Sequence, residues 1–306
     1  MSVDETRTTR DGDVRQPEQN PEPPENGAGR SLRTAFVLGG GGPAGACQVG
    51  MLRALVEAGI KPDLVLGTSV GAVNGAVFAA DPGLEQVSRL EEVWTGLESN
   101  GVFAGSLLTR LGTALRTRTH FHSNEMLRAL LYNALGEMEF AQLPVPFQCV
   151  AASIERAAEV WFTSGPIIPA VLASSAVPGL LPPVELRGEH FLDGGLVDSV
   201  PAGRALQLGA QEVYVLRSGK PDQPLTVPRQ PWEVAAVAFE IARRHRLHRA
   251  LAELPDGIAV HLLPIGNEPP AGTDWGRYLR YRDYARTHDR ITRAHTATER
   301  YLQALA

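Results

Sequence analysis

Residues 34–75 read TAFVLGGGGPAGACQVGMLRALVEAGIKPDLVLGTSVGAVNG, and this stretch decides the fold. The apolar run Thr34 to Leu38 reads as a strand, Gly39 to Gly42 follow it, and Ala46 to Ala58 then carry helical periodicity up to a stop at Gly59. A second strand is predicted at Leu64 to Leu66, which makes the stretch a βαβ unit with a parallel strand pair and a right-handed crossover. The uncharged run Leu64 to Ala80 is interrupted by Gly67, Ser69, Gly71, Asn74 and Gly75, so it reads as buried strand, tight turn and buried helix, not as a membrane span. Further strands are expected at Phe147 to Ser153, Val160 to Thr163, His190 to Leu192, Glu212 to Leu216 and Ile258 to Leu263. Helices are expected at Gly83 to Leu97, Ser123 to Leu135, Pro201 to Leu208, Pro231 to Leu254 and Asp274 to Leu305. Such alternation belongs to an α/β domain with a mainly parallel central sheet flanked by helices.

Composition narrows the function classes. The chain has 306 residues and a formal charge of −5, so a packed core is within reach and no global positive field favours nucleic acid. All but Lys61 and Lys220 of the 29 basic residues are arginine, a bias that lowers the weight of any arginine cluster. Cys47 and Cys149 sit in no ligand or disulfide spacing and read as core thiols. Residues 1–30 hold 11 charged side chains and four prolines with almost no apolar groups, which predicts a disordered polar tail. That tail lacks the apolar segment and cleavage site of a secretory signal, so the reading is a cytoplasmic protein, at most peripheral to a membrane. Residues 31–216 then form the core, and 217–306 add a strand and helices packed on the same domain.

Three glycine-marked turns fall at predicted strand ends, the edge at which open parallel sheets bind ligands. In the first, Gly39 to Gly45, the absence of Cβ atoms lets backbone approach a ligand, and the helix start offers free N–H groups to negative charge. Gly40-x-Gly42-x-x-Gly45 also fits a dinucleotide fingerprint, whose acidic partner belongs at the end of the second strand. Asp63, the nearest carboxylate, precedes that strand instead. The second turn, Gly67-Thr68-Ser69-Val70-Gly71, has the G-x-S-x-G form of a nucleophile elbow, with a strand before it and a helix after it. Because both turns end strands of one βαβ unit, Ser69 should lie beside the Gly40 to Gly42 amides, a nucleophile next to an oxyanion hole. The third turn, Asp193-Gly194-Gly195, supplies a carboxylate that can take a serine proton; read alone it is a common hairpin signal.

LGGGGPAGACQVGML (38–52), GTSVGAVNG (67–75), ASSAVPGLLPPV (173–184) and DGGLVDSVP (193–201) together resemble the patatin-like phospholipases, in the order of that family's glycine loop, serine and aspartate segments. The resemblance covers residues 33 to 216. It implies a three-layer patatin-like fold and hydrolysis of lipid esters without metal or organic cofactor. Ser69 would be nucleophile, Asp193 the proton acceptor of a Ser-Asp dyad, and Gly40, Gly41 and Gly42 oxyanion donors. Gly45, Gly67, Gly71, Gly194 and Gly195 would support the motifs. The partner would be a lipid ester, with transient contact to a membrane surface and none to nucleic acid. One departure is Ala44, where the family commonly carries arginine or lysine.

Rival readings remain visible in the sequence. A histidine triad would draw on His245, His248, His261, His288 or His295, four of them on polar helices, while His190 precedes Asp193. The glycine loop could instead serve a nucleotide-binding protein, and the same fold could bind lipid without catalysis. Asp198 reads as a cap for the helix after Pro201, and Arg243 to Arg249 with Arg282, Arg286, Arg290 and Arg293 as a solvated helix face. Residues 97 to 120 show no period and are expected to form a lid.

Overall fold

Strand β1 (Thr34–Leu38) is central because nearly every one of its side chains is buried, on alternate faces. Ala35 and Val37 enter one core with Leu66, Val213 and Val215, while Phe36 and Leu38 enter the other with Val65, Tyr214 and Leu216. A sheet buried on both faces needs helices on both. The computed structural model describes residues 33–100, 123–218, 224–225, 227–228, 230–252, 258–266 and 286–305. The expected tail at 1–30 lies outside these residues, as does most of the expected lid; residues 97–100 of that segment end a helix.

The other strands are β2 (Leu64–Thr68), β3 (Phe147–Ser153), β4 (Ala158–Phe162), β5 (Val184–Leu186), β6 (Glu189–Asp193), β7 (Glu212–Leu216) and β8 (Ala259–Leu262). They form one sheet in the order β5-β6-β3-β2-β1-β7-β8, with β4 also paired to β3. The run β3-β2-β1-β7-β8 is parallel, and β4, β5 and β6 are antiparallel additions. The chain is thus an α/β protein with a central sheet flanked by helices.

Helices α1 (Ala46–Glu57), α2 (Val70–Ala80), α3 (Leu84–Asn100), α4 (Glu125–Leu135) and α5 (Ile167–Ser174) contribute to the larger core, and α8 (Thr287–Gln303) joins it through Ile291 and Ala294. α8 crosses α1 so closely at Gly50 that a Cβ there would strike the backbone of Ile291. Helices α6 (Ala202–Gln207) and α7 (Pro231–Ala252) cover the opposite face, through Ala202, Ala205 and Leu247.

Two elements are absent from the sequence reading. α5 is almost wholly buried, so it shows no amphipathic period, and Pro169 sits in its first turn. β5 is three residues long and joins β6 through Arg187 and Gly188, both at positive φ, a two-residue hairpin turn without the usual Asn-Gly or Asp-Gly signal. Of the helix expected from Asp274, the described part is α8.

The sheet register places the site. β2 pairs with β3 up to Thr68 opposite Val150, and β6 pairs with β3 from Asp193 opposite Ala151. Since β4 takes the other edge of β3 at both positions, β2 and β6 share one edge and meet end to end. Residues just past Thr68 and at the end of β6 are therefore neighbours, although 124 positions separate Ser69 from Asp193.

Candidate active site

Ser69 stands between β2 and α2 with φ 56 and ψ −124, a conformation few non-glycine residues adopt. The turn is this sharp because α2 packs directly on the strands. A Cβ at Gly71 would collide with the carbonyl of Leu38, and one at Gly67 with the backbone of Gly71 and Ala72. The strained backbone is held on both sides by the end of α5: Ser69 N–H donates to Ser174 Oγ (3.0 Å) and Ser175 Oγ donates to Ser69 C=O (3.2 Å). Ala176, one residue on, accepts from the backbone N–H of Asp193 (2.9 Å). The segment Ser174–Ala176 thus fixes both chain positions at once.

Ser69 Oγ donates to Asp193 Oδ2 at 2.6 Å, and both residues are buried. The second oxygen, Asp193 Oδ1, accepts the N–H of Gly195 at 2.7 Å as the chain turns through Gly194 to Leu196. Gly194 has no room for a side chain, because a Cβ would meet the Val150 carbonyl. Burial pushes the Asp193 carboxyl up to about 6, while the hydrogen bonds from Ser69 and Gly195 and the charge of Arg243 pull it back down. An aspartate in this range is a better proton acceptor near neutrality than an exposed one.

The glycine loop departs from expectation at one position. Gly40 N–H donates to Ser199 C=O (2.9 Å), so it is not available to a developing oxyanion, although Gly40 itself lies against Ser69. Among the described residues the amides of Gly41 and Gly42 have no hydrogen-bond acceptor. Gly42 has φ 55 and opens the 3₁₀ turn Gly42–Gly45, and its neighbour Gly41 could not carry a Cβ without striking Ser218. Gly45 touches Val70, and its carbonyl accepts from Asn74 Nδ2 (3.1 Å).

A buried polar network under the loop escaped the sequence reading. Gln48 Nε2 donates to the carbonyls of Gly39 (2.7 Å) and Leu216 (3.0 Å). Asn74 Nδ2 donates to Gln48 Oε1 (2.9 Å), and Asn74 Oδ1 accepts from Trp94 Nε1 (3.0 Å). The available signal was a glutamine and an asparagine inside otherwise apolar helices, both within the quoted motifs. Arg243 is a correction to the solvated-face reading: it is only 9% exposed and donates to Gly40 C=O, Ser199 Oγ and Glu240. Asp198 is another. It does not cap α6; its Oδ1 accepts the Val200 N–H (3.2 Å), and burial and then the charge of Glu159 push its carboxyl up to about 7.

A cavity of about 490 Å³ is lined at one point by Ser69 and runs between α2, α3 and α4. Val73, Val77, Leu90, Leu127, Leu130 and Leu181 make its walls predominantly apolar. Histidine does not enter: among the described residues none bonds to Ser69 or Asp193, and His190, His261 and His295 instead meet Glu155, Tyr301 and Glu57. Asp63 lies at the opposite sheet edge, where Oδ2 accepts the N–H groups of Arg33 and Thr34 (both 3.0 Å). The place a dinucleotide-binding carboxylate would hold, at the end of β2, belongs to Ser69.

A family model for patatin-like phospholipases matches residues 36–206. This chain belongs to the patatin-like phospholipase family. The patatin-like match contains every residue of the three turns and ends before α7 and α8. Patatin-like phospholipase domain-containing protein 7 of Rattus norvegicus is 32% identical over 191 residues, 62% of this chain and 14% of the rat protein. A protein named lysophospholipase nte1 from Aspergillus terreus is 32% identical over 195 residues, 63% of this chain and 12% of that protein. An uncharacterised NTE family protein of Mycobacterium bovis is 33% identical over 171 residues, 56% of this chain and 45% of its own length. The chain spans less than half the length of each of these relatives. Among the described residues, no helix of this patatin-like protein is long and apolar enough to cross a membrane.

Proposed function

We propose that the protein is a lipid acyl hydrolase that cleaves carboxylic esters through an acyl-enzyme on Ser69, with Asp193 as general base. The observation that carries this reading is the 2.6 Å hydrogen bond to a buried carboxylate from Ser69 Oγ, whose residue lines an apolar cavity. A structural Ser-Asp pair needs neither a strained backbone nor a chain-sized cavity beside it. Family membership and the lysophospholipase name of one relative support the substrate class.

In the first half-reaction Asp193 takes the Ser69 proton as Oγ bonds to the ester carbonyl carbon. The amides of Gly41 and Gly42 face the developing oxyanion, each donor contributing on the order of 10²–10³ in rate. Collapse breaks the bond to the leaving oxygen, which receives the proton from Asp193. Water then attacks the acyl-enzyme, Asp193 accepts its proton, and expulsion of Ser69 Oγ returns that proton to the serine. The acyl chain lies along Val73, Val77, Leu90, Leu127 and Leu130. Each buried methylene contributes about 0.8 kcal/mol. Val93, an exposed residue of α3 in the cavity lining, fits transient contact with a lipid surface.

The test is turnover of p-nitrophenyl esters of increasing chain length and of a lysophospholipid by wild type and Ser69→Ala. Loss of all turnover in the variant, with its fold intact by circular dichroism, supports the reading. Equal turnover by both proteins overturns it, and saturable fatty-acid binding without turnover by wild type would favour a lipid-binding role.

A further inference from the structure

Helix α7 lies beyond the residues shared with the family model, yet it sends one charged side chain under the glycine loop. Arg243 spreads its three nitrogens over two tasks. Nε and Nη2 donate to Glu240 Oε2 (2.8 Å) and Oε1 (2.7 Å), a bidentate pair one helical turn away. Nη1 donates to Gly40 C=O and to Ser199 Oγ, both at 3.3 Å. Glu240 is 2% exposed and also accepts from Arg244 Nε (2.7 Å), so the carboxylate that orients the fork is itself fully engaged. Burying such a group is unfavourable compared with an apolar side chain of the same volume, which would seat α7 equally well. A role beyond packing follows from what Nη1 grips.

The Gly40 carbonyl and the Gly41 N–H belong to one peptide unit. A trans peptide holds its C=O and N–H antiparallel, so fixing the carbonyl fixes the direction of the amide hydrogen. The Gly40 carbonyl is drawn toward α7, and the unengaged Gly41 N–H therefore points the opposite way. Ser199, the other group on Nη1, also accepts the Gly40 N–H and lies in the loop that follows Asp193. A cation on the carbonyl also polarises the peptide and strengthens its N–H as a donor.

We infer that Arg243 is a positioning residue of the active site, which aims the Gly41 amide by gripping the Gly40 carbonyl, ties the glycine loop to the Asp193 loop through Ser199, and holds a positive charge beside the Ser69–Asp193 pair. The inference rests on the reading of Ser69 and Asp193 as nucleophile and base. Among the described charged groups in this region, Arg243 is the one whose field acts on Asp193; Glu240 pairs with Arg243 and Arg244, and Asp198 on the same loop feels Glu159 and Arg246.

The experiment measures kcat, KM and the pH profile of kcat/KM on a short-chain p-nitrophenyl ester for wild type, Ser69→Ala, Arg243→Gln and Arg243→Lys, with thermal melts of each. Arg243→Gln is expected to lower kcat by about tenfold or more with KM changed little. Its acid limb should move to higher pH by on the order of one unit, because the nearby cation is gone. Arg243→Lys keeps the charge but not the fork, so its limb should stay near that of wild type while kcat is only partly restored. A folded Arg243→Gln with kcat and acid limb both as in wild type overturns the inference. So does a fall in kcat that Lys rescues no better than Gln and that leaves the limb unmoved. Should Arg243→Gln fail to fold, Arg243→Lys decides: full wild-type kcat contradicts the positioning role, and reduced kcat with an unmoved limb supports it. If wild type shows no turnover dependent on Ser69, the catalytic reading fails first and the inference falls with it.

Discussion

Ser69 Oγ and Asp193 Oδ2 lie 2.6 Å apart because β2 and β6 run into each other along one edge of β3. The serine follows the last paired residue of β2, and the aspartate is the last residue of β6. No loop closure brings them together. The pair is therefore as rigid as the sheet, which suits a site that must hold a proton acceptor within hydrogen-bond reach.

The acid limb of activity follows from the burial of Asp193. The carboxylate must be ionised to accept the serine proton, and burial pushes its pKa up to about 6. The value of kcat/KM on a neutral ester is expected to rise with pH through about 6 and then level. A profile flat down to pH 4.5 would contradict Asp193 as base.

The same burial affects stability with a definite sign. The folded pKa of about 6 lies above the ordinary value of 3.8, so the folded state binds this proton more tightly than the unfolded chain does. Stability contributed by the proton is full below about pH 4 and is lost as pH rises through about 6. Asp193→Asn removes the buried charge, so it should melt higher than wild type at pH 8, by up to about 3 kcal/mol of stability. The advantage should vanish near pH 4. Thermal melts of both proteins across that range check the sign.

Two glycines to alanine should behave oppositely. Gly71→Ala drives a methyl into the Leu38 carbonyl and should destabilise by more than about 2 kcal/mol. Gly203 in α6 meets nothing within 4 Å, so Gly203→Ala should be neutral or stabilising by up to about 1 kcal/mol. Urea denaturation of the two variants measures the contrast.

Chain-length preference should be set by the cavity. Leu130 lines it from α4 without being fully buried in the core, so Leu130→Trp is expected to narrow the cavity without unfolding the protein. Turnover of long-chain p-nitrophenyl esters should fall by about tenfold or more relative to a short-chain ester, since several methylenes lose their contacts. An unchanged ratio of long to short would place the acyl chain elsewhere.

The legible part of this protein is the part written in local sequence. β1, β3 and β7 were expected at their observed limits, because a strand buried on both faces is a short continuous apolar run. The elbow at Ser69 is legible for the same local reason, since glycines at 67 and 71 announce the close approach of α2. What stayed hidden depends on partners distant in sequence. Nothing local distinguishes Gly40, whose amide is taken by Ser199, from Gly41, whose amide is not. Arg243 sits among arginines on a polar helix, and only the fold brings its side chain beneath a loop 203 residues earlier. Ser174 and Ser175 lay in a quoted motif, but their grip on the Ser69 backbone requires α5, a helix with no period to read.

The proposed mechanism stands on Ser69 as an activated nucleophile with Asp193 as its base. Its most direct test is labelling with a fluorophosphonate, followed by peptide mass spectrometry, on wild type, Ser69→Ala and Asp193→Asn. Covalent label is expected on the Ser69 peptide of wild type, none on Ser69→Ala, and labelling slowed by orders of magnitude in Asp193→Asn. Label on a different residue, or equal rates in wild type and Asp193→Asn, would contradict it.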